Sequence, residues 1–172
     1  MIISRDRQFI FVQIPKTGGT AFSLAYEERA GQGDILIGDT PKARRRWTGV
    51  ATAGRVWKHA TLADVIGLVS EAEIESFLTM TLVRNPWDRL VSYYHWLREQ
   101  RFARPEVQLA KTLDFHGFLN HHSTVSAFRR WPCTAYMRRP DGTDCPSLFV
   151  RLEHFAEDIA PVEAHLGFSL TL

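Results

Sequence analysis

Gln8-Phe9-Ile10-Phe11-Val12-Gln13-Ile14-Pro15-Lys16-Thr17-Gly18-Gly19-Thr20 is the stretch on which the fold turns. Residues 8 to 14 are nearly all apolar and rich in aromatic and β-branched side chains, the pattern of a strand buried on both faces. From Thr20 to Ala30 the period becomes helical, through Ala21, Leu24 and Ala25, and it stops at Gly31. Strand, glycine loop and helix therefore follow one another, with the loop Pro15 to Thr20 at the strand's end.

Leu78-Thr79-Met80-Thr81-Leu82-Val83 repeats the arrangement as a second buried strand ending at Arg84. Pro86 suits the first turn of a following helix, whose apolar face continues through Leu90, Val91, Tyr94 and Leu97. Leu148 to Leu152 reads as a last strand, with a terminal helix from about Glu153. Between these landmarks, Asp34 to Ile37 reads as a short strand and the basic stretch Lys42 to Gly54 as an exposed loop. Arg55-Val56-Trp57-Lys58 is expected to be a strand that delivers His59 to its end. Thr61 with Asp64, and Ser70 with Glu73, have the spacing of capping boxes and predict two short helices. Residues 101 to 147 show only a helix near Phe115 to His121 and a turn at Pro140-Asp141-Gly142.

Strands alternating with helices predict an α/β fold, a P-loop-like three-layer arrangement with a central, mainly parallel sheet flanked by helices. The 172 residues suffice for a single domain, 1–172, with a substantial core. Ligands of such sheets sit at the carboxyl ends of the strands. Lys16, His59 and Arg84 all fall just past expected strand ends and so are candidates for one crevice.

Apolar content of 45%, charge of 23% and a net charge of +2 fit an ordinary globular chain. The basic residues are nonetheless clustered, at Lys42, Arg44, Arg45 and Arg46 and at Arg129, Arg130, Arg138 and Arg139. Aromatic residues are not interleaved with them as a nucleic-acid stacking platform requires, so no nucleic-acid partner is expected. The 42–46 run reads as a solvated loop or as a contact for an anionic acceptor. No apolar run approaches the roughly 20 residues of a spanning helix, and no secretory signal is evident, which predicts no membrane partner and a cytoplasmic location. Cys133 and Cys145 have no metal-ligand spacing and are expected to be free thiols.

The loop Pro15-Lys16-Thr17-Gly18-Gly19-Thr20 differs from the nucleotide-triphosphatase P-loop, in which the lysine follows the glycines. Its components still suit an anion: glycines let backbone N–H groups wrap it, threonines add hydroxyls and Lys16 adds a charge. A plain strand-to-helix turn with a solvated lysine fits the same residues. At the second corner Asp88 and Arg89 read as surface charges at a helix start, and Tyr93 and Tyr94 as core. Arg84 directly follows a buried strand, where a guanidinium grips a phosphate in two places. Ser92 lies about 9 Å further along the helix from Pro86.

Together the two segments resemble PAPS-dependent sulfotransferases, enzymes that use 3′-phosphoadenosine 5′-phosphosulfate (PAPS). Pro15 to Thr20 is similar to their 5′-phosphosulfate loop, and Leu82-Val83-Arg84-Asn85-Pro86 through Arg89-Leu90-Val91-Ser92-Tyr93-Tyr94 to their 3′-phosphate motif. The likeness is closest to the carbohydrate, Golgi-type branch and its bacterial relatives, including 2-O-sulfotransferases. Phe149-Val150-Arg151-Leu152-Glu153-His154-Phe155 adds a weaker match to the family's late strand. The resemblance implies transfer of a sulfuryl group from PAPS to a hydroxyl of a carbohydrate or small-molecule acceptor, without a catalytic metal. It implies that Lys16 stabilises the leaving phosphate, that Thr17, Gly18, Gly19 and Thr20 hold the 5′-phosphate, and that Arg84 and Ser92 hold the 3′-phosphate.

A hydroxyl nucleophile also needs a base. His59 is the first candidate and looks like the histidine that follows an early strand in the 2-O-sulfating relatives, with His95 as its rival. His121 and His122 point apart on a helix and have no third ligand in view for a metal. Trp131 or Tyr136 would stack on adenine, or belong to the core. Two other readings stand beside this one. A phosphotransferase using ATP and Mg²⁺ lacks the lysine after the glycines and an evident Walker-B aspartate. A noncatalytic nucleotide-binding module would keep only the phosphate sites.

Overall fold

Phe9, Ile10, Phe11 and Val12 are all buried, two on each face of a sheet, as their unbroken apolar run requires. The computed structural model describes residues 1–46 and 52–172. Its strands are β1 (Ile2–Ser4), β2 (Phe9–Val12), β3 (Ile35–Leu36), β4 (Leu78–Val83) and β5 (Leu148–Arg151). They form one sheet in the order β3-β1-β2-β4-β5. β1 is antiparallel to both β2 and β3, whereas β2 with β4 and β4 with β5 are parallel. Thus β2 to β5 share one direction, and β1 alone opposes them. The sheet is mainly parallel, as expected, with an added antiparallel strand that Ile2-Ile3-Ser4 is too short to announce.

The helices are α1 (Gly19–Glu27), α2 (Pro41–Arg46), α3 (Glu71–Ser76), α4 (Pro86–Glu99), α5 (Pro105–Thr112), α6 (Phe115–Asn120), α7 (His122–Arg130), α8 (Phe155–Asp158) and α9 (Ala160–Leu166). On one sheet face Phe9 and Phe11 pack against Phe22 and Tyr26 of α1 and Val162 and Leu166 of α9. On the other, Ile10 and Val12 meet Leu62, Val65, Ile74 and Met137. Each fully buried Phe contributes about 1.5–3 kcal/mol to this packing. A third core, Tyr94 and Leu97 with Val107, Ala110 and Phe118, joins α4, α5 and α6.

Several local expectations are corrected. Arg55-Val56-Trp57-Lys58 is not a strand; the chain turns there, and Ala60 N donates to Trp57 O at 3.0 Å. The start of the Lys42 to Gly54 stretch is helical, because Ala43 is buried while Lys42 Nζ donates to Glu27 O and Arg46 Nη1 to Gly31 O at 2.6 Å. Residues 47–51 of that stretch lie outside the described residues. The Ser70–Glu73 capping box opens α3 as read. The reciprocal Thr61–Asp64 bonds also form, yet they lead only into a 3-10 turn at Ala63–Val65. The expected terminal helix is broken into a 3-10 turn at Leu152–His154, then α8 and α9. Among the described residues, no helix is long and apolar enough to cross a membrane.

Strand register decides where the loops emerge. Val12 lies opposite Thr81 and Val83 opposite Arg151. The segments leaving β2, β4 and β5 therefore meet at one edge of the sheet.

Candidate active site

At that edge opens a cleft of about 1180 Å³, walled by the loop after β2, Arg84, Leu152 and the inner faces of α4, α5 and α7. Lys16, Gly18, Gly19, Thr20, His59, Arg84 and Ser92 all line it. The parallel register of β2 and β4 brings the Lys16 loop and Arg84 to the same end of the sheet.

The loop is sharply bent. Gly18 has φ 89°, a left-handed conformation that glycine adopts freely, and Lys16 has φ 66°, which other residues enter at a cost of about 1–3 kcal/mol. A Cβ on Gly18 would lie 2.8 Å from Leu152 Cδ1, and one on Gly19 would run into the Gln13 side chain. No side chain caps α1. Its first-turn amides are thus left for a ligand, and the two glycines keep the approach to them open.

Three consecutive carbonyls leaving β2 are each held by a different side chain. His59 Nδ1 bonds Gln13 O at 2.8 Å, Thr17 Oγ1 donates to Ile14 O at 3.0 Å, and Arg89 Nε donates to Pro15 O at 3.0 Å. Thr17 is buried and does not line the cleft; its hydroxyl is spent on Ile14 O and braces the loop. Thr20 is exposed and accepts from Gln13 Nε2 at 3.4 Å, which leaves its own hydroxyl hydrogen to give. Lys16 Nζ stands 5.7 Å from the centre of the Trp96 ring. Burial, and next the Arg84 guanidinium, pull the lysine below its ordinary pKa, so two cations share this part of the cleft.

Asn85 Oδ1 caps α4 through Trp87 N at 3.0 Å, and Pro86 occupies the first turn. Glu153 Oε1 accepts from Asn85 N at 2.8 Å, a bond that holds the carboxyl below its usual range and ties the chain after β5 to the corner after β4. Arg84 is half-buried on the cleft wall, and Ser92 follows on α4.

His59 reaches the cleft without the strand expected to deliver it; the Gln13 carbonyl anchors it. Since a carbonyl only accepts, Nδ1 carries the hydrogen and Nε2 keeps its lone pair. Burial is the main reason its pKa falls from 6.5 to about 4, with Lys58 adding to the effect. His59 is therefore a neutral acceptor near pH 7. His95 is exposed and does not line the cleft. The His121 and His122 rings lie 4.5 Å apart, but no group of three His, Cys, Asp or Glu side chains suited to a metal occurs among the described residues.

Trp131 and Tyr136 line the cleft with ring centres 5.8 Å apart. A second aromatic wall runs from Trp96 to Tyr93 at 5.9 Å and on to Phe128 at 5.5 Å. Tyr94 is core as expected, whereas Tyr93 lines the cleft, its phenol pushed up to about 12 by burial. The basic side chains of α2 do not line the cleft. Arg89 is not a surface charge: it is half-buried against Phe128, Cys133 and the loop. Its spacing from Ser92, Tyr93 and Trp96 puts all four on one face of α4, and that periodicity was the available signal.

The profile of the sulfotransferase family matches residues 1–157. The fold is similar to the crystal structure of mouse sulfotransferase SULT7A1 complexed with PAP, with a TM-score of 0.51 at 16% identity. That match covers 98% of this chain, which spans 60% of the other. No curated protein matches the sequence.

Proposed function

Because the chain belongs to the sulfotransferase family, we propose that it transfers the sulfuryl group of PAPS to a hydroxyl of a carbohydrate or small-molecule acceptor and releases adenosine 3′,5′-bisphosphate (PAP). The observation that carries this reading is the pairing, in one cleft, of the Lys16 loop after β2 with the Arg84–Ser92 corner after the neighbouring parallel strand β4. A 5′-phosphosulfate and a 3′-phosphate on one nucleoside need two such sites. The residues fit that ligand: Gly18 and Gly19 sit where a Cβ would collide, α1 begins uncapped, and Lys16 and Arg84 are close enough to perturb one another.

Thr17, Gly18, Gly19 and Thr20 hold the 5′-phosphate through backbone N–H groups and the Thr20 hydroxyl, while Arg84 and Ser92 hold the 3′-phosphate. The acceptor oxygen attacks sulfur as its proton passes to Nε2 of His59. The bond from sulfur to the bridging oxygen breaks, and Lys16 stabilises the charge left on the 5′-phosphate. The phosphosulfate's negative charge favours the imidazolium that forms. Trp131 and Tyr136 offer the adenine platform. The aromatic wall along α4 takes the flat face of the acceptor, whether arene or sugar ring. The free thiols Cys133 and Cys145 accord with a cytoplasmic setting.

Calorimetric titration tests the coenzyme. Tight binding of PAP in the absence of metal is expected, and a preference for ATP with Mg²⁺ would sink the reading. Turnover of PAPS against arenes bearing a hydroxyl and against oligosaccharides then identifies the acceptor class; no turnover despite PAP binding would leave a binding module.

A further inference from the structure

We propose that Arg89 is a positioning residue for the sulfuryl-transfer step, setting the aim of Lys16 by holding the Pro15 carbonyl; the inference rests on the sulfotransferase reading of Lys16. Arg89 lies in the first turns of α4, yet its guanidinium reaches across to the loop after β2, with Nε 3.0 Å from Pro15 O. The rest of the group is fixed too: its carbon stands 5.6 Å from the Phe128 ring centre on α7, and Nη1 is 3.6 Å from Cys133 Sγ.

The bond falls where it controls most. Pro15 has φ locked by its ring, so pinning its carbonyl fixes the peptide plane that enters Lys16. Rotation about the next bond is the Lys16 φ of 66°, a left-handed value that a lysine holds only at a cost. From that conformation the side chain leaves the loop toward Trp96 and the cleft. Gln13 O and Ile14 O are held by His59 and Thr17, but those contacts act before the proline. Arg89 is the side chain that bonds the last carbonyl before Lys16. Since α4 also carries Ser92 and follows Arg84, the same helix links the two phosphate sites.

The chain has four lysines, so reductive ¹³C-methylation gives a simple NMR spectrum, with the Lys16 signal assigned by its loss in Lys16→Arg. That signal is expected to carry the ring shift of Trp96 in the wild type and to move to the position of an exposed lysine in Arg89→Met. An unchanged Lys16 signal in Arg89→Met overturns the proposal, and this readout does not depend on what the protein catalyses. In turnover, Arg89→Met is expected to lower kcat about 10²-fold with PAP affinity held within about threefold. In a Lys16→Ala background the same change should cost nothing further. A tenfold loss of PAP affinity with kcat retained, or additive losses in the double variant, would make Arg89 a direct ligand or a general scaffold and overturn the assignment. A crystal structure of Arg89→Lys, which keeps the stem and charge beside Phe128, gives a second reading. The introduced ammonium is expected on Pro15 O with Lys16 still left-handed; a left-handed Lys16 without that bond refutes the role. Wild-type protein that neither binds PAP nor turns over PAPS would remove the sulfotransferase reading, while the methyl-lysine spectrum would still decide whether Arg89 aims Lys16.

Discussion

In the proposed reaction Arg84 binds coenzyme and His59 takes the proton, and single substitutions separate the two roles. Arg84→Ala removes a charged hydrogen-bonding group from the cleft wall, and a loss of about 1.5–3 kcal/mol in PAP affinity is expected by calorimetry. His59→Ala leaves PAP affinity nearly unchanged and lowers turnover about 10² to 10⁴-fold if Nε2 takes the acceptor's proton. The same histidine gives a pH signature. Burial depresses its pKa from 6.5 to about 4, so between those values the unfolded chain binds a proton that the folded protein refuses. Stability should therefore fall as pH drops through that window and be unaffected by this group above it. Urea midpoints at several pH values check this, with a flatter slope in His59→Gln, and an NMR titration of the His59 ring should give a midpoint near 4. A midpoint near 6.5 would mean that the ring is not buried against Gln13 O.

Element by element, the sequence was clearest where a rule acts over a few residues. Ser70 and Glu73 form the capping box their spacing announces, and Ser70→Ala is expected to cost about 1 kcal/mol in chemical denaturation. Leu78 to Val83 is a strand at its expected bounds, and Pro86 opens α4. Elements that depend on distant partners were not legible. β1 has only Ile2, Ile3 and Ser4, and becomes a strand because β2 and β3 flank it. Arg55 to Lys58 has strand-like residues but pairs with no strand among the described residues, and tertiary context overrides the preference. In the candidate site, the meeting of the Lys16 loop and Arg84 in one cleft could be read from their places just past strand ends. The role of Arg89 could not, since its partner carbonyl is 74 residues away. His59 reaches the cleft by another route than the expected one: it is fixed by a side-chain bond to Gln13 O and not by a strand of its own.

Across the whole molecule, the cleft concentrates positive groups from separate elements in a chain whose net charge is only +2. PAP affinity should accordingly fall as salt is raised from about 0.05 to about 0.5 M, because screening acts on the local field; a salt-independent affinity would show that apolar stacking dominates binding. The lone antiparallel strand also sets the order in which this chain can fold. β1 and β2 are joined by a tight turn closed by Gln8 N on Arg5 O at 3.2 Å, whereas β4 pairs with β2 across a separation of 69 residues, from Phe9 to Leu78. A hairpin closes in about 1–10 μs, and long-range parallel pairing waits on a far larger loop-closure entropy. Substitutions in Ile3 and Ile10 are thus expected to slow refolding more than those in Val150, measured as φ-values by stopped flow. The cleft exists only after β4 has docked beside β2, and α4 arrives with it carrying the Arg89 that holds Pro15 O, so the lysine loop and the Arg84 corner are completed in the same late step and the β1–β2 hairpin by itself holds neither half of the proposed PAP site.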